Sequence, residues 1–234
     1  MFRRFNLFSS CLTKPSKTSE PIIWVFWDCD GTLFNIPQNI LEKQQFAKLK
    51  HLTEVAGPNN FSVFMIYLAK TQEVFRALLV MKNVRLAFIT TAEYDTSTLT
   101  LLEAALELGK DALKDSVFIN RYVFEHIDRK GEKLHQFRRT GMIGPQDHVI
   151  LVDNLQYQVD SARDYGFEAI LAEGYCQEAH DNGDVITYHP NNNYLNRIIE
   201  LVRSKVQELV RQEQTKELGF TVTHSQIVVR PDFS

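Results

Sequence analysis

The sequence predicts an α/β protein whose central, mostly parallel β-sheet is covered by helices. Short apolar, β-prone runs recur along the chain and end in polar, turn-like strings, which is typical of strands buried on both faces. Helical patterns lie between these runs, and this alternation of strand and helix favours a doubly wound sheet. With 234 residues, of which 44% are hydrophobic and 24% are charged, the chain can bury a sizeable core.

The individual elements follow from the same patterns. Four clear runs and one weaker run predict strands over residues 22–27, 84–89, 148–152 and 167–171, and, for the weaker run, 117–120. Apolar residues at helical spacing predict helices over 39–56, 97–108, 155–165 and 193–217. The segment 61–81 is strongly apolar, but its period is ambiguous.

We expect three regions along the chain. Residues 1–20 carry four basic residues and no acid before Glu20, and they lack the apolar stretch of a secretory signal. We expect a disordered tail there, with a targeting or surface-binding segment as the alternative. Residues 21–190 form the α/β domain. Residues 191–234 form an amphipathic helix and a tail, and this helix either packs on the domain or serves as a partner-binding or linker helix.

Composition excludes several classes of function. The formal net charge of −3 offers no global basicity, so we expect no specific nucleic-acid binding. The three cysteines are far apart and form no CxxC or zinc-type pattern, which favours a reducing, cytoplasmic-type environment for a soluble protein. No run of 18 apolar residues could span a membrane.

Two aspartates follow the first predicted strand. Asp28 and Asp30 lie at positions i and i+2, so strand geometry sends both side chains to the same side. Open α/β sheets bind ligands at the carboxyl ends of their strands, where this pair lies. Gly31 and Thr32 follow, and glycine permits a turn that brings backbone amide groups close to an anion. A purely structural turn is the alternative for this short string alone.

A longer string around these aspartates resembles a known motif. VFWDCDGTLF is similar to motif I of the haloacid dehalogenase (HAD) superfamily, and the other three motifs follow in order near the ends of later strands. Together the motifs span roughly residues 22–172. Motif II is matched by Thr90 or, as the alternative, Thr91; motif III by Lys130 or, as the alternative, Lys133; and motif IV by Asp153 and Asn154.

The resemblance implies a HAD-like Rossmannoid three-layer sandwich and a Mg²⁺-dependent phosphomonoester hydrolase. Asp28 would attack phosphorus and form an aspartyl-phosphate. Asp30 would protonate the leaving oxygen and then activate water against the intermediate. Because an ordinary Asp has a pKa of about 3.9, the site must hold the Asp30 proton by burial or by a hydrogen bond.

The same resemblance implies how phosphate and metal are bound. A hard, oxygen-seeking Mg²⁺ ion would reduce the repulsion between a carboxylate and a phosphate dianion. Its ligands would be the Asp28 side chain, the backbone carbonyl of Asp30 and the motif IV side chains Asp153 and Asn154. The phosphoryl oxygens would be held by Thr90 and Lys130, with Gly31 and Thr32 beside them.

Motif IV departs from the commonest pattern, because Asn154 replaces a second acid. An amide oxygen can still bind Mg²⁺, though with less charge. The Asp-Asn pair is similar to motif IV of HAD protein phosphatases of the small C-terminal-domain phosphatase type. Gly31, however, stands where those enzymes usually carry Glu, which argues against that branch.

The gaps between the motifs limit a cap domain. Fifty residues (35–84) separate Phe34 from Arg85, and 39 residues (91–129) separate Thr90 from Lys130, and both gaps must hold helices that cover the sheet. We therefore expect no large cap and an open active site. An open site favours a phosphorylated protein as the substrate, bearing phosphotyrosine or phosphoserine/threonine, as for some bacterial effectors that act in a host cell.

Two alternatives remain open. One is a small-metabolite phosphatase with a short cap near residues 36–80, and the other is a catalytically weak binding module with the same fold. Between positions 121 and 139 six basic residues stand against three acids. They would attract anionic substrates if they surround the site, and a solvated helix face is the alternative. The six are Arg121, Arg129, Lys130, Lys133, Arg138 and Arg139.

Overall fold

The computed structural model describes residues 20–35, 61–92, 94, 96–124, 128–173, 175–178, 185–188 and 192–217. Its strands are β1 (Ile23–Trp27), β2 (Val84–Ile89), β3 (Val117–Ile119), β4 (His148–Asp153), β5 (Glu168–Leu171), β6 (Tyr175–Glu178) and β7 (Val185–Tyr188). Its α-helices are α1 (Leu68–Leu79), α2 (Ser97–Ala105), α3 (Arg121–Phe124), α4 (Lys130–Thr140), α5 (Gln156–Asp164) and α6 (Asn193–Glu217). A 3₁₀ helix covers Phe61–Phe64.

Five strands form one parallel sheet in the order β3-β2-β1-β4-β5. β1 lies at the centre and pairs with β2 and β4 so that Trp27 lies opposite both Phe88 and Val152. This register brings the carboxyl ends of β1, β2 and β4 to one edge of the sheet. The predicted α/β fold with a central parallel sheet is confirmed. β6 and β7 form a separate antiparallel pair, which the sequence patterns did not predict.

Helices cover both faces of the sheet. Successive residues of β1 point to opposite faces, so Val25 and Trp27 pack with α1, α2 and α6, whereas Trp24 and Phe26 pack with α4 and α5. All five residues of β1 are buried, which explains why the strand is apolar at every position. The molecule therefore has three layers, with the sheet in the middle.

The long helix α6 packs on the same face as α1 and contacts β1 and β5. Leu195, Ile198 and Val202 are fully buried in the core of that face. Lys205 adds an ion pair of 3.1 Å to Glu168 at the start of β5. The amphipathic stripe that predicted this helix is therefore the stripe that packs on the domain.

Several predictions lie outside the described residues. They concern the tail before residue 20, the whole helix over 39–56, and the segment after 217. The region boundaries at 20 and 190 therefore stay predictions. The absence of a large cap also stays a prediction, because residues 36–60 are not described. Among the described residues, no helix is long and apolar enough to cross a membrane.

Other parts of the chain also differ from their sequence patterns. The ambiguous segment 61–81 consists of the 3₁₀ helix, a short bridge and α1. Phe61 at its start packs edge-on against Phe34 in the turn after β1, with ring centres 5.1 Å apart, and the backbone N–H of Ile66 donates to Leu33. Helix α4 was not predicted, because it is highly charged and contains only two large apolar residues, Leu134 and Phe137.

Candidate active site

The predicted site residues lie at the edge where the central strands end. Asp28 follows β1, and its backbone N–H continues the parallel ladder by donating to Val152 on β4 at 2.9 Å. Thr90 follows β2, and its N–H donates to Ile119 on β3 at 2.9 Å. Asp153 is the last residue of β4. The parallel register therefore places motifs I, II and IV side by side.

Lys130 joins the aspartates of two motifs. Its Nζ donates to Oδ1 of Asp28 and, at 2.5 Å, to Oδ2 of Asp153. All three side chains are buried, so one ammonium group stands between two carboxylates away from water. Burial lowers the pKa of Lys130, but the carboxylates of Asp28 and Asp153 outweigh this effect and raise it above its ordinary value. Lys130 is thus held in its charged form.

The start of α4 is pressed against α5. The backbone N–H of Lys130 donates to Oε1 of Gln158 at 2.8 Å, and Nε2 of Gln158 donates to the backbone oxygen of Asp128 at 3.1 Å. A Cβ atom at Gly131 would lie only 2.2 Å from the backbone oxygen of Ser161. Only glycine permits this approach of the two helices, which aims Lys130 at the strand ends.

Of the two lysines considered for motif III, the structure brings Lys130 to the aspartates. Lys133 lies one turn further along α4, where Nζ donates to Gln136 at 2.7 Å and lies 5.3 Å from the centre of the Phe137 ring. Thr90 is buried, and its Oγ1 accepts the N–H of Ala92 at 3.1 Å, whereas Thr91 is exposed. The roles of Thr90 and Lys130 in phosphate binding stay predictions.

The turn after β1 shapes the surroundings of Asp28. Gly31 has φ = 72°, and a Cβ atom there would lie 2.3 Å from Nδ2 of Asn154. The N–H of Gly31 donates to Phe34 at 2.8 Å, and the hydroxyl of Thr32 donates to Oδ2 of Asp28 at 3.1 Å. In this structure the N–H of Gly31 stabilises the turn, and the hydroxyl of Thr32 binds Asp28, the candidate nucleophile. Phosphate binding by Gly31 and Thr32 stays a prediction.

Asn154 closes a group of oxygen atoms beside Asp28. One terminal atom of its amide lies 3.3 Å from Oδ2 of Asp28 and 3.2 Å from the backbone oxygen of Asp30. As an NH₂ group this atom donates to both neighbours. As the carbonyl oxygen it faces two further oxygens and accepts only a long hydrogen bond of 3.5 Å from the Thr32 hydroxyl. The orientation with the NH₂ group at this place therefore satisfies more of its neighbours.

Asp153 is engaged differently from Asn154. Its Oδ2 accepts from Lys130, and its Oδ1 accepts the backbone N–H of Leu155 at 2.8 Å. Among the described residues, no three His, Cys, Asp or Glu side chains converge as metal ligands. The oxygen atoms that do converge belong to one carboxylate, one amide and one backbone carbonyl. Metal binding by Asp153 itself stays a prediction.

Asp30 is held by a residue that the motifs did not indicate. The phenolic hydroxyl of Tyr94 donates to Oδ1 of Asp30. Burial raises the pKa of Asp30 to about 6, although the hydrogen bond from Tyr94 and the charge of Lys130 oppose this rise. Burial likewise raises the pKa of Asp28 to about 7, against the opposing charge of Lys130. The raised pKa of Asp30 suits a carboxyl group that must carry a proton near neutral pH.

The side chain of Cys29 and the basic residues at the end of α4 lie away from the candidate site. Cys29, between the two aspartates, is fully buried in the core, as strand alternation predicts. Arg121, two residues after the end of β3, and Arg129, directly before Lys130, are exposed. Arg138, by contrast, donates to the backbone of Asp147 at 2.9 Å, just before β4 begins. Of the six basic residues, those at the end of α4 therefore lie at the opposite edge of the sheet.

No protein-family model matches this chain, and no curated protein does. Several solved structures are similar to it. An L-2-haloacid dehalogenase from Xanthobacter autotrophicus with chloropropionic acid covalently bound has 14% identity and a TM-score of 0.41 over 68% of this chain and 80% of that chain. A haloacid dehalogenase-like hydrolase from Streptococcus pneumoniae has 15% identity and a TM-score of 0.36 over 64% and 84%. A HAD-superfamily hydrolase of subfamily IA from Geobacter sulfurreducens has 16% identity and a TM-score of 0.38 over 67% and 89%. Similarities this distant carry no argument about the family or the reaction of this chain.

Proposed function

We propose that this protein is a phosphomonoester hydrolase that forms a covalent phosphoryl ester on Asp28. The observation that carries the proposal is the buried contact of Lys130 with Asp28 and Asp153 at the carboxyl edge of the sheet. A second carboxyl group, that of Asp30, lies two residues further along. A carboxylate nucleophile, a fixed positive charge and a neighbouring acid are the groups that this kind of phosphoryl transfer requires.

In the first step, an oxygen of Asp28 forms a bond to phosphorus while the bond from phosphorus to the leaving oxygen breaks. Protonated Asp30 donates its proton to that leaving oxygen, so the alcohol departs neutral and Asp30 becomes a carboxylate. Lys130 neutralises negative charge on the phosphoryl oxygens. Its ammonium group has three hydrogens and donates to two carboxylates, which leaves one hydrogen for a phosphoryl oxygen.

In the second step, water attacks the phosphorus of the ester on Asp28. Asp30, now a carboxylate, takes a proton from this water, and the bond between phosphorus and Asp28 breaks. Inorganic phosphate leaves, and both aspartates return to their starting states. The same residue therefore acts first as acid and then as base, which needs no other titrating group at the site.

The oxygen atoms beside Asp28 fit a Mg²⁺ ion. One terminal atom of the Asn154 amide lies 3.3 Å from Oδ2 of Asp28 and 3.2 Å from the backbone oxygen of Asp30. Hard oxygen ligands of this kind are what Mg²⁺ prefers. When bound, the ion supplies positive charge that lets an anionic phosphate approach a carboxylate. Asp28, Asp30 and Asn154 would hold it, and the amide of Asn154 would then present its oxygen.

We propose a phosphorylated protein as the substrate. The rim of the site supports this, because Tyr122 after β3 and Tyr157 after β4 are 62% and 54% exposed. The exposed Arg121 and Arg129 lie at the same edge. Aromatic rings and guanidinium groups suit contact with a peptide chain and its phosphate, whereas a small metabolite would need an enclosing pocket.

The first experiment measures hydrolysis of 4-nitrophenyl phosphate with Mg²⁺ and with EDTA. We expect Mg²⁺-dependent release of phosphate that is abolished in Asp28→Asn and retained in Asp164→Asn, a matched change at an exposed position of α5. Chloride release from 2-chloropropionate without hydrolysis of any phosphoester would instead indicate a dehalogenase. Inactivity of the folded protein toward all of these substrates would indicate a binding module.

The second experiment compares phosphopeptides with a panel of sugar and nucleotide phosphates. We expect a higher kcat/KM for phosphopeptides, and charge reversal at Arg121 and Arg129 should lower it for peptides more than for 4-nitrophenyl phosphate. A preference for a sugar or nucleotide phosphate would contradict the proposed substrate and leave the proposed chemistry in place.

A further inference from the structure

We propose that Tyr94 is a positioning residue that orients Asp30 as the general acid, an inference that rests on the proposed function. Its hydroxyl donates to Oδ1 of Asp30, and the two residues are 64 positions apart in the chain. Tyr94 lies four residues after Thr90, in the loop that leaves β2. A residue in the loop after β2 therefore contacts the carboxyl group of Asp30, which lies after β1.

The phenol ring of Tyr94 is itself fixed in place. Only 4% of the residue is exposed, and its ring centre lies 5.5 Å from that of Phe34. The backbone oxygen of Tyr94 accepts a hydrogen bond of 2.7 Å from Nδ2 of Asn120, at the end of β3. The hydroxyl thus has a defined position, held by the core on one side and by the backbone on the other.

This contact fixes the orientation of the Asp30 carboxyl group. Because the phenolic O–H of Tyr94 donates to Oδ1, that oxygen is engaged as an acceptor, and Oδ2 is left as the oxygen that faces the leaving group. The terminal torsion of an Asp side chain is broad, so without the hydroxyl the carboxyl group would rotate out of this orientation. Transfer of the proton to the leaving oxygen depends on this orientation of Asp30. The contacts of Lys130 with Asp28 and Asp153 do not depend on it.

The test is the dependence of kcat/KM on the leaving group in Tyr94→Phe, measured in the full chain with Mg²⁺. Phenyl and benzyl phosphate have basic leaving groups that need protonation, whereas 4-nitrophenolate leaves readily without it. We expect kcat/KM to fall roughly tenfold or more for the first two and by less than about threefold for 4-nitrophenyl phosphate. Tyr165→Phe removes a hydroxyl at the far end of α5, where the ring stacks on His135, and should change none of these values.

A second variant keeps the test independent of the stability of Tyr94→Phe. Asn120→Ala removes the hydrogen bond to the backbone of Tyr94 and should produce the same selective loss, in weaker form. An equal loss for all three esters, or no loss, would overturn the role of Tyr94 while leaving the proposed function in place. Failure of the wild-type chain to hydrolyse any of the esters would overturn the proposed function, and the role of Tyr94 with it.

Discussion

The Gln158 side chain forms its hydrogen bond with the backbone N–H of Lys130 rather than with the Lys130 side chain. Oε1 of Gln158 accepts the N–H of Lys130 at 2.8 Å, and Nε2 donates to the backbone oxygen of Asp128 at 3.1 Å. Gln158 is 1% exposed, so water does not compete for these bonds. The position of the central ammonium group is therefore set by α5, through the first residue of α4.

Gln158→Met removes both hydrogen bonds while keeping a long, flexible side chain in the same space. The backbone N–H of Lys130 then loses its partner in a buried place, so we expect the free energy of unfolding to fall by about 1–3 kcal/mol. Urea denaturation measures this loss. Gln156→Met, the same change at an exposed position of α5, is the control and should cost much less. Equal effects of the two changes would contradict the role of Gln158.

Lys130→Met leaves Asp28 and Asp153 buried without their common partner. We expect a loss of about 3–5 kcal/mol in the free energy of unfolding at pH 7, because removing one member of a buried ion pair leaves an uncompensated charge. Adding Asp153→Asn to this variant removes one of the two stranded charges and should restore part of the loss. Urea denaturation of the wild type, both single variants and the double variant measures this coupling. Simply additive effects would show that the Lys130–Asp153 contact contributes little.

The sequence predicts the parts of the site that belong to linear motifs. Asp28, Asp30, Thr90 and Asp153 each come at or just after the end of an apolar strand, and parallel pairing of those strands is enough to bring them to one edge. Lys130 is a weaker case, because it begins a charged helix that the apolar pattern did not indicate. Its place in the order of motifs, rather than its surroundings in the sequence, singled it out.

The supporting residues could not be predicted in the same way. Tyr94 reaches Asp30 from a loop after a different strand, and Gln158 reaches Lys130 from the neighbouring helix. Neither contact produces a periodic pattern in the sequence, because each joins residues that are far apart in the chain and depends on how two elements pack. A buried Gln beside Val159 and Ala162 on the packed face of α5 is the one local hint, since a buried amide needs partners.

Gly31→Ala tests the crowding between the turn after β1 and Asn154. The new Cβ atom would lie 2.3 Å from Nδ2 of Asn154, so we expect the amide to shift from its present position beside Asp28. We expect Mg²⁺ affinity, measured by calorimetry, to fall in this variant. Gly141→Ala is the matched control, because Gly141 also has a positive φ of 80° but no atom within 4 Å of the new Cβ. Both variants should lose about 1–2 kcal/mol of stability, since an L side chain disfavours this conformation. Equal Mg²⁺ affinity in the two would contradict the role of Asn154.

Gly131→Ala tests the close contact of α4 and α5. In an isolated helix this change would stabilise by roughly 1 kcal/mol, because alanine has the higher helix propensity. Here the Cβ atom would lie 2.2 Å from the backbone oxygen of Ser161, and neither helix backbone can yield locally. We therefore expect the opposite sign, a loss of about 1–3 kcal/mol in urea denaturation. A gain in stability would show that the helices separate without cost.

Removal of the Asp30 charge should make stability less dependent on pH. Burial raises the pKa of Asp30 to about 6 in the folded chain, from 3.8 in the ordinary state. Between these two pH values the folded chain holds a proton that the unfolded chain has lost, so the stability from this group is complete below about pH 4 and is lost as pH rises through about 6. Asp30→Asn cannot ionise, and its stability relative to the wild type should therefore increase by about 2 kcal/mol between pH 4 and pH 7.5. Urea denaturation in EDTA at these two pH values measures the difference, with Asp164→Asn as the exposed control. A relative stability of Asp30→Asn that stays constant or falls with pH would show that Asp30 is already ionised in the folded chain at low pH.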